Sequence, residues 1–292
     1  MNTLIRSLLP KSLRSSLSSG KEKLLTRSLK AAAAEQGLLE LAGRLRALAE
    51  KDMADQYSTM SMDSEYLLTK VSCQQAFQIK LASPVLPDGT GTVVDIGDSS
   101  GAHTRYLQAL NANCKADFLS VNLDPRAVEK IRAKGLKALQ ARAEELCAHG
   151  VDADVFLLFE TLEHLPDPFG FLHNLSSKTR CHRLVLTVPY VRRSRLGLHH
   201  IREGLKERRT AERVHLLELC PEDLRLLFAH TGWKVEKEDV YLQYPLRSPL
   251  RATRALWTRW DFEGFYGAVL SRDDTWSSLY GSWDSPAPFN CS

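Results

Sequence analysis

Two short stretches of this 292-residue chain bring together the residue types that chemistry uses. The first, VVDIGDSSG from Val93 to Gly101, sets Asp95 near the end of an apolar, β-branched run and follows it with Gly97, Ser99 and Gly101. Glycines tolerate positive φ and close approach, so a strand turning through them into a helix aims backbone N–H groups at a bound polar group. About 21 residues later, at the spacing of nucleotide-binding βαβ units, a second apolar run ends in Val121-Asn122-Leu123-Asp124-Pro125. The second stretch, ETLEHLPDP from Glu160 to Pro168, follows the unbroken apolar run Val155 to Phe159. Such a run is a strand buried on both faces, and open α/β sheets place their reacting groups at the carboxyl ends of central strands. Glu160, Glu163 and His164 are therefore candidates for chemistry. The alternative is that Glu163 and His164 merely open the next helix and meet its backbone donors.

Loops of this kind need a sheet to hold them. From Thr92 onward, short β-branched runs alternate with helical segments, which predicts an α/β fold: a Rossmann-like, seven-stranded, mostly parallel sheet with helices on both faces. The strands are expected at Thr92 to Ile96, Asp117 to Leu123, Lys137 to Gln140, Asp154 to Phe159 and Leu184 to Val188, with two more near Trp233 to Gln243 and Phe265 to Leu270. Upstream, Ala31 to Ala54 combines strong helix formers with a stripe of Leu38, Leu39, Leu41, Leu45 and Leu48, and Asp63 to Leu81 reads as a second helix. These predict an N-terminal helical cap. The expected division is a basic amphipathic arm at 1–30, the cap at 31–90, the catalytic domain at 91–272 with a basic insertion at 191–215, and an aromatic-rich tail at 273–292.

Composition excludes several classes. No apolar run approaches the roughly 20 residues that span a bilayer. The six cysteines are scattered without a CxxC pair or zinc spacing, so they read as reduced thiols, and with no signal-peptide pattern a cytoplasmic location is expected. The arm carries seven Lys/Arg against Glu22 alone, with leucines at helical spacing. It could lie on an anionic membrane surface, serve as a targeting segment, or dock on its own domain.

With these motifs in order, the chain resembles the class I S-adenosylmethionine-dependent methyltransferases over about 180 residues, Thr92 to Leu270. The resemblance implies S-adenosylmethionine as cofactor, its methionine part facing Asp95, Gly97, Ser99 and Gly101, and its ribose held at the end of the second strand by Asn122, Leu123 or Asp124. Ser99 stands where the family has its middle glycine, Asn122 where it has a ribose-binding acid, and Arg142 where an acid lies near the adenine. Glu160 joins the cofactor-binding set, and ETLEHLPDP is similar to the ExLEHLxDP motif of the branch that includes ubiquinone-biosynthesis O-methyltransferases. Methyl transfer to a hydroxyl requires removal of its proton, and His164, helped by Glu163, is the candidate base. Relatives such as small-RNA 2′-O-methyltransferases use ExxEH and a later histidine to hold a divalent ion, which implies Glu160, Glu163, His164 and His215 as ligands for Mg²⁺ or Mn²⁺.

The insertion holds eight Lys/Arg, among them Arg192, Arg193 and Arg195, against three glutamates, which suits an anionic acceptor or a solvated, self-paired helix. Four of the five tryptophans lie in the last 36 residues, where they pack the tail or stack on a ring. The leading expectation is methyl transfer to an oxygen of a small or carrier-linked acceptor. A metal-assisted RNA or nucleotide ribose methyltransferase and a non-catalytic cofactor-binding scaffold are the alternatives; no RNA-binding motif supports nucleic acid as a partner.

Overall fold

The computed structural model describes residues 11–49, 64–197, 214–260 and 262–280. The chain divides into two compact units, residues 1–77 with 241–264 and residues 78–240 with 265–292.

The larger unit is built on a seven-stranded sheet. Its strands are β1 (Thr92–Ile96), β2 (Asp117–Asn122), β3 (Ala138–Gln140), β4 (Val155–Phe159), β5 (Arg183–Tyr190), β8 (Trp233–Leu242) and β9 (Gly264–Arg272), in the order β3-β2-β1-β4-β5-β9-β8. The first five run parallel. Every residue of β4 is buried, as its unbroken apolar sequence requires for a strand hydrogen-bonded on both edges and covered on both faces. The strand order reverses between β1 and β4, where Val93 pairs with Val155 and Asp95 with Leu157. A crevice forms outside such a reversal because the connections on either side leave for opposite faces.

Helix starts are written into the sequence around the sheet. Asp124 caps α5 (Pro125–Ala133) and Asp167 caps α6 (Pro168–Lys178); each carboxylate accepts a backbone N–H, and proline fills the first helical position. α4 (Ala102–Leu110) begins after Gly101 at φ 75°, and α7 (Pro221–His230) carries Glu222 and Asp223 in its first turn. Between β5 and α7, β6 (Arg195–Leu196) and β7 (Leu217–Glu218) form an antiparallel pair that brackets most of the basic insertion. Its residues 198–213, Arg202 and Lys206 included, lie outside the described residues.

In the smaller unit, α1 (Lys11–Glu35) and α2 (Leu39–Ala49) are joined by a turn through Gly37 at φ 68°. Leu25, Leu29, Tyr244 and Trp257 form its core, and Ser28 Oγ bonds Thr253 Oγ1 at 2.7 Å and the Gln243 carbonyl at 3.1 Å. α3 (Glu65–Ala82) supplies Tyr66, stacked on Trp257.

The sequence-based division differs here. One helix runs through the expected arm–cap boundary at residue 30, so Ala31 opens no helix, and the segment 241–264 groups with the N-terminal helices rather than the sheet. The expected second helix begins at Glu65. Among the described residues, no helix is long and apolar enough to cross a membrane. Truncating fully buried Leu158 on β4 to alanine leaves a cavity in the core on one face of the sheet; chemical denaturation is expected to report a loss of about 2–5 kcal/mol.

Candidate cofactor and acceptor site

The loop after β1 is organised by an acid that its neighbours in the motif overshadow. Asp98, 2% exposed, accepts hydrogen bonds from Ser100 N at 3.1 Å, Gly101 N at 2.8 Å and the Ser120 hydroxyl at 2.8 Å. The chain can turn into this arrangement because Gly97 adopts φ 91°, and a Cβ there would lie 2.2 Å from Thr161 Oγ1. Gly101 is equally constrained, since its Cβ would lie 2.5 Å from Leu136 Cδ1. Ser99 is half-buried, and Gly97 is exposed at the carboxyl end of β1.

Asn122, at the end of β2, turns inward. Its amide donates to the Asp98 carbonyl at 2.9 Å, while its oxygen accepts Asp124 N at 2.8 Å. Asp124 accepts from Arg126 N and lies 2.8 Å from the Arg126 guanidinium, whose hydrogen bonds hold its carboxyl below the usual carboxylate range. Both polar groups expected to meet a ribose are thus engaged within the loop, and Leu123 is exposed between them. Arg142 is exposed and pairs with Glu144.

The motif after β4 lies against this loop. Thr161 Oγ1 is 3.2 Å from the Ile96 carbonyl, and Glu160 takes φ 48°, the one non-glycine residue among those described to do so. Strain of this kind at a strand end persists where surrounding contacts impose it. Glu163 is 4% exposed, and neither of its carboxylate oxygens has a hydrogen-bond partner among the described residues. Burial, reinforced by the charges of Glu160 and Glu218, raises its pKa well above the ordinary value.

His164 Nδ1 lies 2.9 Å from the Val214 carbonyl, which can only accept, so this nitrogen carries a proton and, in the neutral ring, Nε2 holds the lone pair. His215 packs edge-on against His164 with ring centroids 4.7 Å apart, and its Nδ1 lies 3.2 Å from Glu218. Burial opposes the Glu218 charge, but His215 and Arg195 more than offset it and hold its pKa below the ordinary value. One ligand atom each of Glu163, His164 and His215 lies within 4.8 Å of the others. Three of the four residues expected to share an ion are therefore together; Glu160 is not in that group.

Residues 94–180, spanning β1 to α6, match the family model of a methyltransferase domain. Over that stretch the chain is similar to a methyltransferase domain. The magnesium protoporphyrin IX methyltransferase of Synechocystis, solved with bound SAH, superposes with a TM-score of 0.50 at 12% identity, covering 80% of this chain and 99% of that one. The [4+2]-cyclase SpnF superposes with a TM-score of 0.52 at 11% identity, covering 83% and 97%. No curated protein sequence matches the chain. Identities this low establish the class I methyltransferase fold and leave the reaction to the site.

Several residues that build the site carry no motif signal. Asp98 falls between two motif positions, Ser120 lies inside a strand, and His103 is the second residue of α4, where its Nδ1 reaches Asp95 at 2.9 Å. Glu218 is visible only as an acid three residues after His215. The loop geometry also fixes what an acid at position 122 would do. Asn122→Asp removes the donor to the Asp98 carbonyl and sets a carboxylate against it. We expect a loss of about 1–3 kcal/mol in unfolding free energy and no gain in S-adenosylhomocysteine affinity by calorimetry; tighter binding would overturn this account of the loop.

Proposed function

We propose that the chain transfers the methyl group of S-adenosylmethionine to an oxygen of a small or carrier-linked, anionic acceptor. The observation that carries this reading is the meeting of two loops. The glycine loop after β1 and the Glu163-His164 motif after β4 leave adjacent parallel strands at the reversal in strand order, joined through Thr161 and the Ile96 carbonyl. Ligands of open α/β sheets bind at such a point.

S-adenosylmethionine supplies a methyl on a sulfonium, which leaves by in-line displacement. Asp95, the exposed backbone at Gly97, Ser99 and Gly101 are suited to its amino-acid end, with Asn122, Leu123, Asp124 and Glu160 around the remainder. His164 is suited to be the base: the Val214 carbonyl fixes its tautomer and leaves Nε2 to take the acceptor's proton. Glu163, neutral by burial, can donate a hydrogen bond beside it. Arg192 and Arg193, exposed just beyond β5, favour a negatively charged acceptor.

Calorimetry with S-adenosylhomocysteine tests the reading; absence of binding at millimolar ligand rejects it. Given binding, His164→Gln is expected to lower kcat by about 10²–10⁴-fold with cofactor affinity unchanged, and unchanged turnover would remove His164 as base.

A second reading, metal-assisted methylation of a ribose hydroxyl, is favoured by one observation: buried, partnerless Glu163 converges with His164 and His215. Carboxylate and imidazole suit Mn²⁺ or Mg²⁺; the Val214 carbonyl orients the His164 ring, and Glu218 lies 3.2 Å from His215 Nδ1. Such an ion would polarise the acceptor hydroxyl. Thermal melts with Mn²⁺ discriminate: the ion raises the wild-type Tm and leaves Glu163→Gln unmoved if the site binds it, and moves neither protein if it does not.

Without metal, the raised pKa of Glu163 means that the native state holds a proton the unfolded chain releases near ordinary carboxyl values. Stability therefore falls as pH rises from that range toward the folded pKa. Denaturation midpoints measured against pH should show this slope in the wild type and lose it in Glu163→Gln.

A further inference from the structure

Asp95 is 1% exposed at the end of β1, and a carboxylate so buried needs a charge or donors beside it. His103 provides one. Its Nδ1 lies 2.9 Å from Asp95 Oδ2, and its other ring nitrogen, Nε2, lies 3.2 Å from Gln78 Oε1 on α3. The Gln78 amide nitrogen donates in turn to Thr187 Oγ1 on β5 at 3.2 Å. Phe159, the last residue of β4, packs edge-on against the imidazole with centroids 4.9 Å apart.

Both ring nitrogens of His103 thus face acceptors. A neutral imidazole has one N–H and one lone pair, so one of the two contacts would set lone pair against lone pair; the imidazolium donates both. The ionisable groups facing the ring are Asp95 from β1 and Asp98 from the loop, while Gln78, Phe159 and Thr187 are neutral. Burial opposes the charge on His103, yet the Asp95 carboxylate, its hydrogen bond and Asp98 together hold the histidine above its ordinary pKa. Burial lifts Asp95 itself to about 6, against the pull of His103.

Resting on the methyltransferase reading, we propose that His103 is a positioning residue for the amino-acid end of the cofactor: its imidazolium keeps Asp95 ionised and oriented to receive the cofactor's α-ammonium. The chain Asp95–His103–Gln78–Thr187 ties β1, α4, α3 and β5 together around the point where the strand order reverses. Removing the imidazolium removes the groups that hold the Asp95 pKa down, so burial raises it further and a neutral carboxyl faces the cation over a wider pH range.

The test compares two ligands by calorimetry across a pH series: S-adenosylhomocysteine, and 5′-methylthioadenosine, which lacks the amino-acid end. Wild-type affinity for S-adenosylhomocysteine should be nearly flat between about pH 7 and 8, above the Asp95 pKa of about 6. In His103→Gln it should fall by about tenfold per pH unit below the raised Asp95 pKa and recover as pH rises. Affinity for 5′-methylthioadenosine should be the same in both proteins. A uniform loss for both ligands at every pH marks a merely structural role and overturns the proposal, as does unchanged S-adenosylhomocysteine binding.

If the wild type binds neither ligand, the methyltransferase reading fails and the positioning role with it; a flat profile in the variant beside a binding wild type removes only the role of His103. Should the variant not fold, ring-nitrogen NMR shifts of His103 in the wild-type protein decide. Two protonated nitrogens near neutral pH are expected, and a neutral ring overturns the proposal.

Discussion

A carboxylate buried under a loop can be kept there only by donors, and Asp98 takes three of them: two backbone N–H groups of the loop just before α4 and the Ser120 hydroxyl from β2. Much of the site's geometry depends on this interaction. It fixes the turn that Gly97 makes possible and closes the step from β1 into α4. Through the Asn122 amide on the Asp98 carbonyl, it joins the loops after β1 and β2 into one hydrogen-bonded body. It also decides what such a loop can bind. A loop that holds a pyrophosphate presents its first helical N–H groups to the anion. Here the two loop N–H groups just before α4, those of Ser100 and Gly101, are taken by an acidic side chain, which disfavours a phosphate beside it.

The parts of the fold that burial dictates were legible in the sequence. Val155 to Phe159 had to be a central strand because five consecutive apolar residues have no solvent-facing side, and Thr92 to Ile96 is found with the expected bounds. The change from basic arm to alanine-rich segment near residue 30 looked like a boundary, but charge composition does not end a helix, and α1 runs through it. The grouping of 241–264 with the N-terminal helices had no local signal either. It rests on contacts such as Ser28 with Gln243, and a hydroxyl that bonds a carbonyl 215 residues away leaves no spacing to read.

The candidate site divides the same way. Which residues stand at the ends of β1, β2 and β4 follows from strand periodicity, so Asp95, Asn122 and Glu163-His164 could be singled out. How their polar groups are spent could not. Asn122 is at the expected position, yet both ends of its amide serve the loop, and the Asp124 carboxylate serves Arg126. Such choices are made by neighbours from other elements, as His103 answers Asp95 and Val214 answers His164.

Two buried acids, Asp95 and Glu163, show how the site assigns chemistry within a fold that also carries a [4+2]-cyclase. Asp95 has an imidazole against it, so it can remain an anion with a fixed orientation. Glu163 has no such partner among the described residues, and Glu160 and Glu218 add like charge, so it must either keep its proton or accept a cation between itself and the two histidines. The two outcomes assign His164 different work. In the proposed reading a protonated Glu163 can donate to an acceptor oxygen while His164 Nε2 takes its proton. A cation shared by Glu163, His164 and His215 would instead occupy that lone pair and acidify the hydroxyl itself, so the burial of Glu163 decides which chemistry the same three residues support.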